Sequence, residues 1–219
     1  VNFPCDNMHY QRRHSLNGVV SIYDHGEQRF LRFNNFVQGR MHLQKQWKTI
    51  VPYMDIMCRS WERFMEQAPE RIVHLGLGCG SGVRCLVKKY PGAKQTVFEY
   101  DTKLIRVIPK LFLLPSDVII LKGNAAKLDF SVPWKRWQWV LVDVFNGKGS
   151  SIIFSGQWFK KLAYFLADQA LISVNFFSMK YKEWTELNST AAGHGYKLVK
   201  KDDSLFANWV VNWVFRRNK

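Results

Sequence analysis

The chain has no long apolar run, no paired cysteines and few acidic residues for its size. No hydrophobic stretch approaches the ~20 residues that a membrane span requires, and the amino-terminal residues lack the uninterrupted apolar core of a secretory leader. A cytoplasmic protein with no membrane partner is therefore expected. The chain opens on Val1, not Met, as a processed or trimmed chain would. Cys5, Cys58, Cys79 and Cys85 form no CxxC pair and have no histidine cluster beside them, which excludes the usual zinc spacings. They read as reduced thiols, and no metal is expected. No internal repeat or low-complexity segment is present. With 17 acidic against 32 basic side chains the formal charge is +15, which favours an acidic partner. The lysines and arginines are nevertheless spread along the chain ("QRR", "VKK", "FKK", "VKKDD", "FRRNK"). Most read as a solvated surface, with nucleic-acid binding as the alternative.

What is present is enough apolar material, 47% of 219 residues, to bury a sizeable core with a small appendage. Residues 19–37, "VVSIYDHGEQRFLRFNNFV", alternate apolar and polar around a glycine-containing turn and predict a β-hairpin. From Leu43 to Met65 the apolar spacing predicts a helix, in which Pro52 marks either a kink or the true start. The organisation expected is a β unit over 1–42, a linking helix over 43–68 and a main domain over 69–219.

The most informative stretch is "RIVHLGLGCGSGVRCLVKKYPGAKQTVFEYD", Arg71 to Asp101, with glycine at every second position from Gly76 to Gly82. The run Ile72 to Leu75 predicts a buried strand, and Val83, Leu86, Val87 and Tyr90 stand at helical spacing. A glycine-rich turn between strand and helix lets a ligand approach the backbone, and the free N–H groups of the first helical turn favour polar or anionic atoms. A second strand, "KQTVFE", ends in Glu99, where an acidic side chain can take both hydroxyls of a ribose. The bland alternative is a βα turn that needs glycine only for packing. Beyond Glu99, helix and strand patterns alternate: "TKLIRVIPKLF" as helix, "DVIIL" and "WQWVLVD" as strands, "GQWFKKLAYFLA" as helix, "ALISVNF" as strand. This predicts a parallel sheet with helices on both faces. "YKLVKK" and "NWVVNWVF" follow as consecutive strands with no helix between them, a closing antiparallel pair. Asp143 ends a central strand, at the edge where doubly wound sheets bind ligands, or else caps the next turn.

The G-x-G-x-G-x-G loop resembles motif I of the class I S-adenosylmethionine (AdoMet) transferases, and across most of its length the chain resembles the spermidine synthase family of polyamine aminopropyltransferases. "LRFNNFVQ" is similar to that family's L-x-x-x-G-x-x-Q through Leu31 and Gln38, with Asn35 in place of the glycine. Tyr53, Met54 and Asp55 stand at its Y-H-E, "GLGCGS" at its GGGDGG, Glu99 to Asp101 at its E-I-D, and "DVFNG" at its D-S-S-D-P. The resemblance implies an α/β class I AdoMet-methyltransferase-like Rossmann fold, mainly parallel with an antiparallel last strand, behind a small amino-terminal β-hairpin unit. It implies aminopropyl transfer from decarboxylated AdoMet, or use of AdoMet itself, to a small amine acceptor, and a homodimer. By the same resemblance Gln38, Gly76, Gly78, Gly80, Glu99, Asn124 and Ala125 contact the cosubstrate, Tyr53 and Asn146 the acceptor, and Asp143 accepts the amine proton.

Cys79, Asn124 and Asn146 stand where the family has aspartates, so the site has lost negative charge that a cationic substrate would use. Read without the resemblance, Gln38 is equally a hairpin-exit residue, Tyr53 a core residue, Cys79 a small residue in a tight turn and His74 a core histidine. The tryptophans of "VPWKRWQW" suit either a base-stacking platform or the core. Two other functions fit the same pattern: methyl transfer to RNA or another acidic partner, although "DVFN" lacks the proline-proline-aromatic motif of amino-group nucleic-acid methyltransferases, and a non-catalytic binding protein that kept the fold.

Overall fold

The computed structural model describes residues 5–14, 16–128, 136–144, 154–177, 180–204 and 208–217. The first element is not a lone hairpin but a four-stranded antiparallel sheet, β1 (Asn7–His14), β2 (Gly18–His25), β3 (Gln28–Phe33) and β4 (Phe36–His42), in sequential order. The expected hairpin forms its centre, β2 paired with β3. β1, "NMHYQRRH", lacks apolar alternation and is held by its pairing to β2, so no sequence pattern announces it.

Helix α1 spans Pro52–Phe64. It starts at the proline, with Val51 in extended conformation as its N-cap. A proline costs nothing at a first helical turn, where its N–H would have no partner, so Leu43 to Val51 stay outside the helix that the apolar spacing predicts for them. The second sheet is seven-stranded: β5 (Arg71–Leu75), β6 (Lys94–Glu99), β7 (Ile119–Lys122), β8 (Trp137–Val142), β9 (Leu166–Phe177), β10 (Tyr196–Asp203) and β11 (Asn208–Arg216). Its order is β10-β11-β9-β8-β5-β6-β7, parallel from β7 to β9 and antiparallel at β11 and β10, the class I methyltransferase-like arrangement. Helices α2 (Ser81–Lys89), α3 (Thr102–Leu111), α4 (Gly156–Phe165) and α5 (Tyr181–Gly193) complete the described elements.

Each face of the large sheet is covered by an apolar stripe at helical spacing. Met54, Met57, Cys58 and Trp61 of α1 pack on Ile72, Trp139, Leu141, Leu171, Val210 and Val214. On the opposite face α4 and α5 bring Trp158, Phe159, Leu162, Trp184 and Leu187 against Val140, Ile172, Val174 and Trp213. Trp137 and Trp139 are fully buried in these layers, which removes them as a base-stacking platform; Trp134 lies outside the described residues. No helix among the described residues is long and apolar enough to cross a membrane.

The small sheet is fastened to the large one through α3. Val20, Ile22, Leu31 and Met41 meet Leu104, Ile108 and Phe112 in one cluster. At its edge Asp101, the N-cap of α3, accepts the backbone N–H groups of Lys103 and Leu104 on Oδ1. Its Oδ2 accepts from His14 Nδ1 at 2.8 Å and Asn17 Nδ2 at 2.7 Å. A carboxylate only accepts, so His14 carries a proton on Nδ1, and its Nε2 is hydrogen-bonded to the Tyr10 hydroxyl at 2.8 Å. Burial raises the Asp101 carboxyl, but the bonds from His14, the Lys103 N–H and Asn17 outweigh it and hold the group below its ordinary value. Asp101→Asn keeps a good N-cap and removes the charge. It is expected to cost about 1.5–3 kcal/mol of stability near neutral pH, the range for a hydrogen bond to a charged group. Because the folded-state value is depressed, the contribution is present above the unfolded carboxylate value of about 4 and is lost as pH falls through the depressed one. Melting curves of both proteins across acid pH check this; a constant difference at every pH would exclude the charge as its source.

Candidate functional site

In the large sheet the strand order reverses at β5. Its chain successor β6 lies on one side and β8 on the other, so a crevice opens above their carboxyl ends. The glycine loop leaves the end of β5, and Asp143 stands at the end of β8. The two are locked together: the Asp143 N–H donates to Leu75 O at 3.0 Å, and the Gly76 N–H donates to Phe98 O at 2.9 Å. Gly76 has φ +99°, and a Cβ there would overlap the Asp143 carbonyl. Only glycine serves both requirements at this position.

Past Gly76 the chain turns through Gly78 and Gly80, also at positive φ, and Gly80 is the N-cap of α2. Open space surrounds the position a Cβ would take on Gly78, so the loop backbone is accessible there. Cys79 is buried and its Sγ is engaged in the seam with β4, 3.1 Å from Ser81 Oγ and 3.8 Å from the Arg40 carbonyl. Opposite it, Gly39 lets β4 approach: a Cβ on Gly39 would come within 2.5 Å of Cys79 Sγ. Behind the loop the Arg84 guanidinium is buried and donates to the carbonyls of Cys79, Phe112 and Gln46.

One cavity brings together Gln38, Tyr53, Gly76, Gly78 and Asp143, over an apolar floor that includes Met54, Met57 and Leu141. Gln38 is an exposed side chain of β4 at its rim, and Tyr53 projects from the first turn of α1. The Tyr53 hydroxyl donates to Asp143 Oδ2 at 3.1 Å, and Asn175 Nδ2 donates to Oδ1 at 2.9 Å. Burial pushes the Asp143 carboxyl above the ordinary carboxylate range, against the lowering effect of the bonds from Asn175 and Tyr53. Burial, with Asp143 and Cys79 nearby, pushes the Tyr53 phenol well up, so Tyr53 acts as a donor. His74 lines the same cavity from β5, with Nε2 2.8 Å from Gln95 Oε1; burial lowers it to about 4, so it is neutral at physiological pH, as a core histidine is.

Glu99 ends β6 beside the loop. Its Oε2 accepts the Leu77 N–H at 3.1 Å, and Oε1 accepts those of Tyr100 and Asp101 at 2.7 and 2.8 Å. Burial pushes its carboxyl up, and the backbone donors of Asp101, Leu77 and Tyr100 pull it down. Glu99 therefore splints the glycine loop to the start of α3, and the one lone-pair site left on Oε2 is what a ligand can use. Asn124 and Ala125 follow β7 on the same edge but do not line the cavity. Asn124 Oδ1 accepts from the Ala126 N–H at 2.9 Å, and the Ala125 carbonyl takes Trp158 Nε1 at 2.8 Å. Asn146 lies outside the described residues. Among those residues no group of three or more His, Cys, Asp or Glu could hold a metal ion. Asn175 escapes the sequence reading, although a polar residue inside the apolar strand "LISVNFF" is itself a signal that something must pair with it.

No family model matches the chain. It is 28% identical over 133 residues to the polyamine aminopropyltransferases of Neisseria meningitidis serogroups A and B, covering 59% of this chain and 50% of each relative. The chain thus spans about half the length of the curated relatives it matches. Among solved structures it is similar to a probable spermidine synthase from Corynebacterium glutamicum, with TM-score 0.74 and 18% identity over 96% of this chain and 80% of that one. It is also similar to the spermidine synthase of Thermotoga maritima, with TM-score 0.67 and 12% identity over 95% and 72%. The resemblance read from the motifs therefore holds in sequence and in fold.

The close approach of β4 to the loop gives a direct test of this geometry. Gly39→Ala is expected to cost about 1–3 kcal/mol by overpacking, because the buried Cys79 side chain has little room to give. In a Cys79→Ala background most of that penalty should vanish, a coupling read from chemical denaturation of the four proteins of the cycle. Additive losses would show that the two sheets do not meet at this pair.

Proposed function

We propose that this chain is an aminopropyltransferase-like enzyme that binds an AdoMet-type sulfonium donor, decarboxylated AdoMet by preference, and transfers its alkyl group to a small amine. The observation that carries this reading is the Asp143 carboxylate, set at the switch-point edge beside the glycine loop and held on both oxygens by neutral donors. The likeness to the polyamine aminopropyltransferases supports the same chemistry.

The backbone of Gly76, Gly78 and Gly80 would pass beneath the donor, with Gly78 leaving open space for it. Glu99 would meet the ribose hydroxyls through Oε2, which keeps one free lone-pair site. Asn124 and Ala125, on the same edge, would flank the adenine, and Gln38 would meet the donor's tail from the cavity rim. Tyr53 would orient the acceptor. An ammonium has no lone pair, so displacement at a carbon beside sulfonium needs a neutral amine. Asp143, in its anionic form, would accept that proton and fix the nucleophile. The formal charge of +15 opposes the approach of a cation, but the described cavity lining contains no lysine or arginine. With a screening length of about 8 Å at physiological ionic strength, the nearby carboxylate dominates the field a bound amine feels.

Asp143→Asn keeps the shape and removes the basicity. Transfer to any amine acceptor should fall about 10²–10⁴-fold in single-turnover assays at saturating donor, with the melting temperature and much of the donor affinity retained. Near wild-type turnover in the folded variant would end the role. Glu99→Ala should weaken adenosyl ligands by about 1.5–3 kcal/mol in isothermal titration, the range for hydrogen bonds to a charged group. Titration with both donors tests the choice of chemistry: tighter binding of AdoMet itself would favour methyl transfer, and binding of neither would favour a protein that kept only the fold.

A further inference from the structure

The α1-facing side of the large sheet carries a buried polar seam inside an otherwise apolar layer. Ser173 and Asn175 on β9 and Asn208 and Asn212 on β11 are all buried, Ser173, Asn175 and Asn212 completely. Side chains alternate between the faces of a strand, and these four share the face of Trp139, Leu141 and Asp143 on β8. One half of the seam runs from Trp139 Nε1 to Ser173 Oγ at 3.0 Å and on to Asn212 Oδ1 at 2.7 Å. The other half runs to the site: Asn208 Nδ2 donates to Asn175 Oδ1 at 2.8 Å, and Asn175 Nδ2 donates to Asp143 Oδ1 at 2.9 Å.

A buried amide pays desolvation on both its ends, and a site that needed only packing would use an apolar side chain here. The direction of the chain of bonds is also informative. An asparagine can present either oxygen or nitrogen to a neighbour, and a carbonyl turned to Asp143 would repel the carboxylate. The Asn208 amide N–H is donated to the Asn175 oxygen, which leaves the Asn175 N–H for Asp143. We infer that Asn175, oriented by Asn208, is a positioning residue for Asp143: it holds the carboxylate in its anionic, proton-accepting form and fixes Oδ1, leaving Oδ2, which Tyr53 shares, to face the amine.

The groups that bear on Asp143 are few. Tyr53 comes from α1, Cys79 from the glycine loop and His74 from β5, all lining the same cavity. His74 is neutral, and Arg84 on α2 is turned to backbone carbonyls behind the loop. No second carboxylate and no lysine or arginine lines the cavity among the described residues. The described groups that favour the charged form of Asp143 are thus the two neutral donors, and removing one must raise the carboxyl further.

The inference rests on the proposed role of Asp143, and two readouts separate them. The first uses no turnover: the Asp143 carboxyl is titrated by ¹³C NMR in the wild type, in Asn175→Leu, which keeps the approximate volume without the donor, and in Asn175→Asp, which keeps the shape. The midpoint should rise by about 1–2 pH units in Asn175→Leu, the effect of one lost hydrogen bond to a charged group. It should rise at least as far in Asn175→Asp, where two carboxylates share a site. Asn208→Ala, which frees Asn175 to turn over, should give a smaller shift of the same sign. The second readout is the pH dependence of kcat/KM for amine transfer. The base works deprotonated, so its acid limb should move to higher pH with the NMR midpoint, while donor affinity stays unchanged. A folded Asn175→Leu protein with an unmoved midpoint overturns the positioning role whatever its rate. A moved midpoint in a protein that transfers to no amine upholds the positioning and ends the proposed reaction instead.

Discussion

The pairing of β5 with β8 beyond their last regular residues is the constraint on which the rest depends. Asp143 donates its N–H to Leu75, and the loop leaves β5 through a glycine whose Cβ would collide with the Asp143 carbonyl. This contact brings a strand-end carboxylate beside an open stretch of backbone. It exists only because the two strands are parallel neighbours whose crossovers depart in opposite directions. A side chain at Gly76 would push the loop away from β8 and break the site without touching any polar group in it.

Around that contact the site is assembled from parts that also hold the fold together. Glu99 splints the loop to the start of α3. Asp101 caps α3 and ties it to β1 through His14. Gly39 and Cys79 close the seam between the two sheets. Cys79 suits that seam, because its Sγ sits in buried contact with β4, where an unpaired carboxylate would be costly. Among the described residues the carboxylate lining the cavity is Asp143, held by two neutral donors.

The polar seam of β9 and β11 shows how distant segments enter the same site. Asn208 lies sixty-five positions from Asp143 in the chain yet acts on it through a single amide, because β11 returns antiparallel beside β9 and β9 lies parallel beside β8. Buried hydrogen-bonded networks of this kind restrict a carboxylate to one orientation, and each member depends on the one behind it.

Much of this was legible in the residues themselves. Glycine at alternate positions, an apolar strand before it and a helical stripe after it can satisfy backbone geometry in few ways, so the βαβ unit, Glu99 at its second strand end and Asp143 at another follow from local pattern. The antiparallel closing pair was legible for the same reason, since two adjacent strand runs with no helix between them can only fold back. What local pattern did not carry were features made by partners far away in the chain. β1 is a strand because β2 pairs with it, and Trp137 and Trp139 are core residues because helices cover both faces of the sheet. Asn175 is a polar residue that only Asp143 and Asn208 explain. Periodicity reports which face of an element is buried. Which polar groups meet inside that face is decided by strand order and register, and these exist only once the sheet has formed.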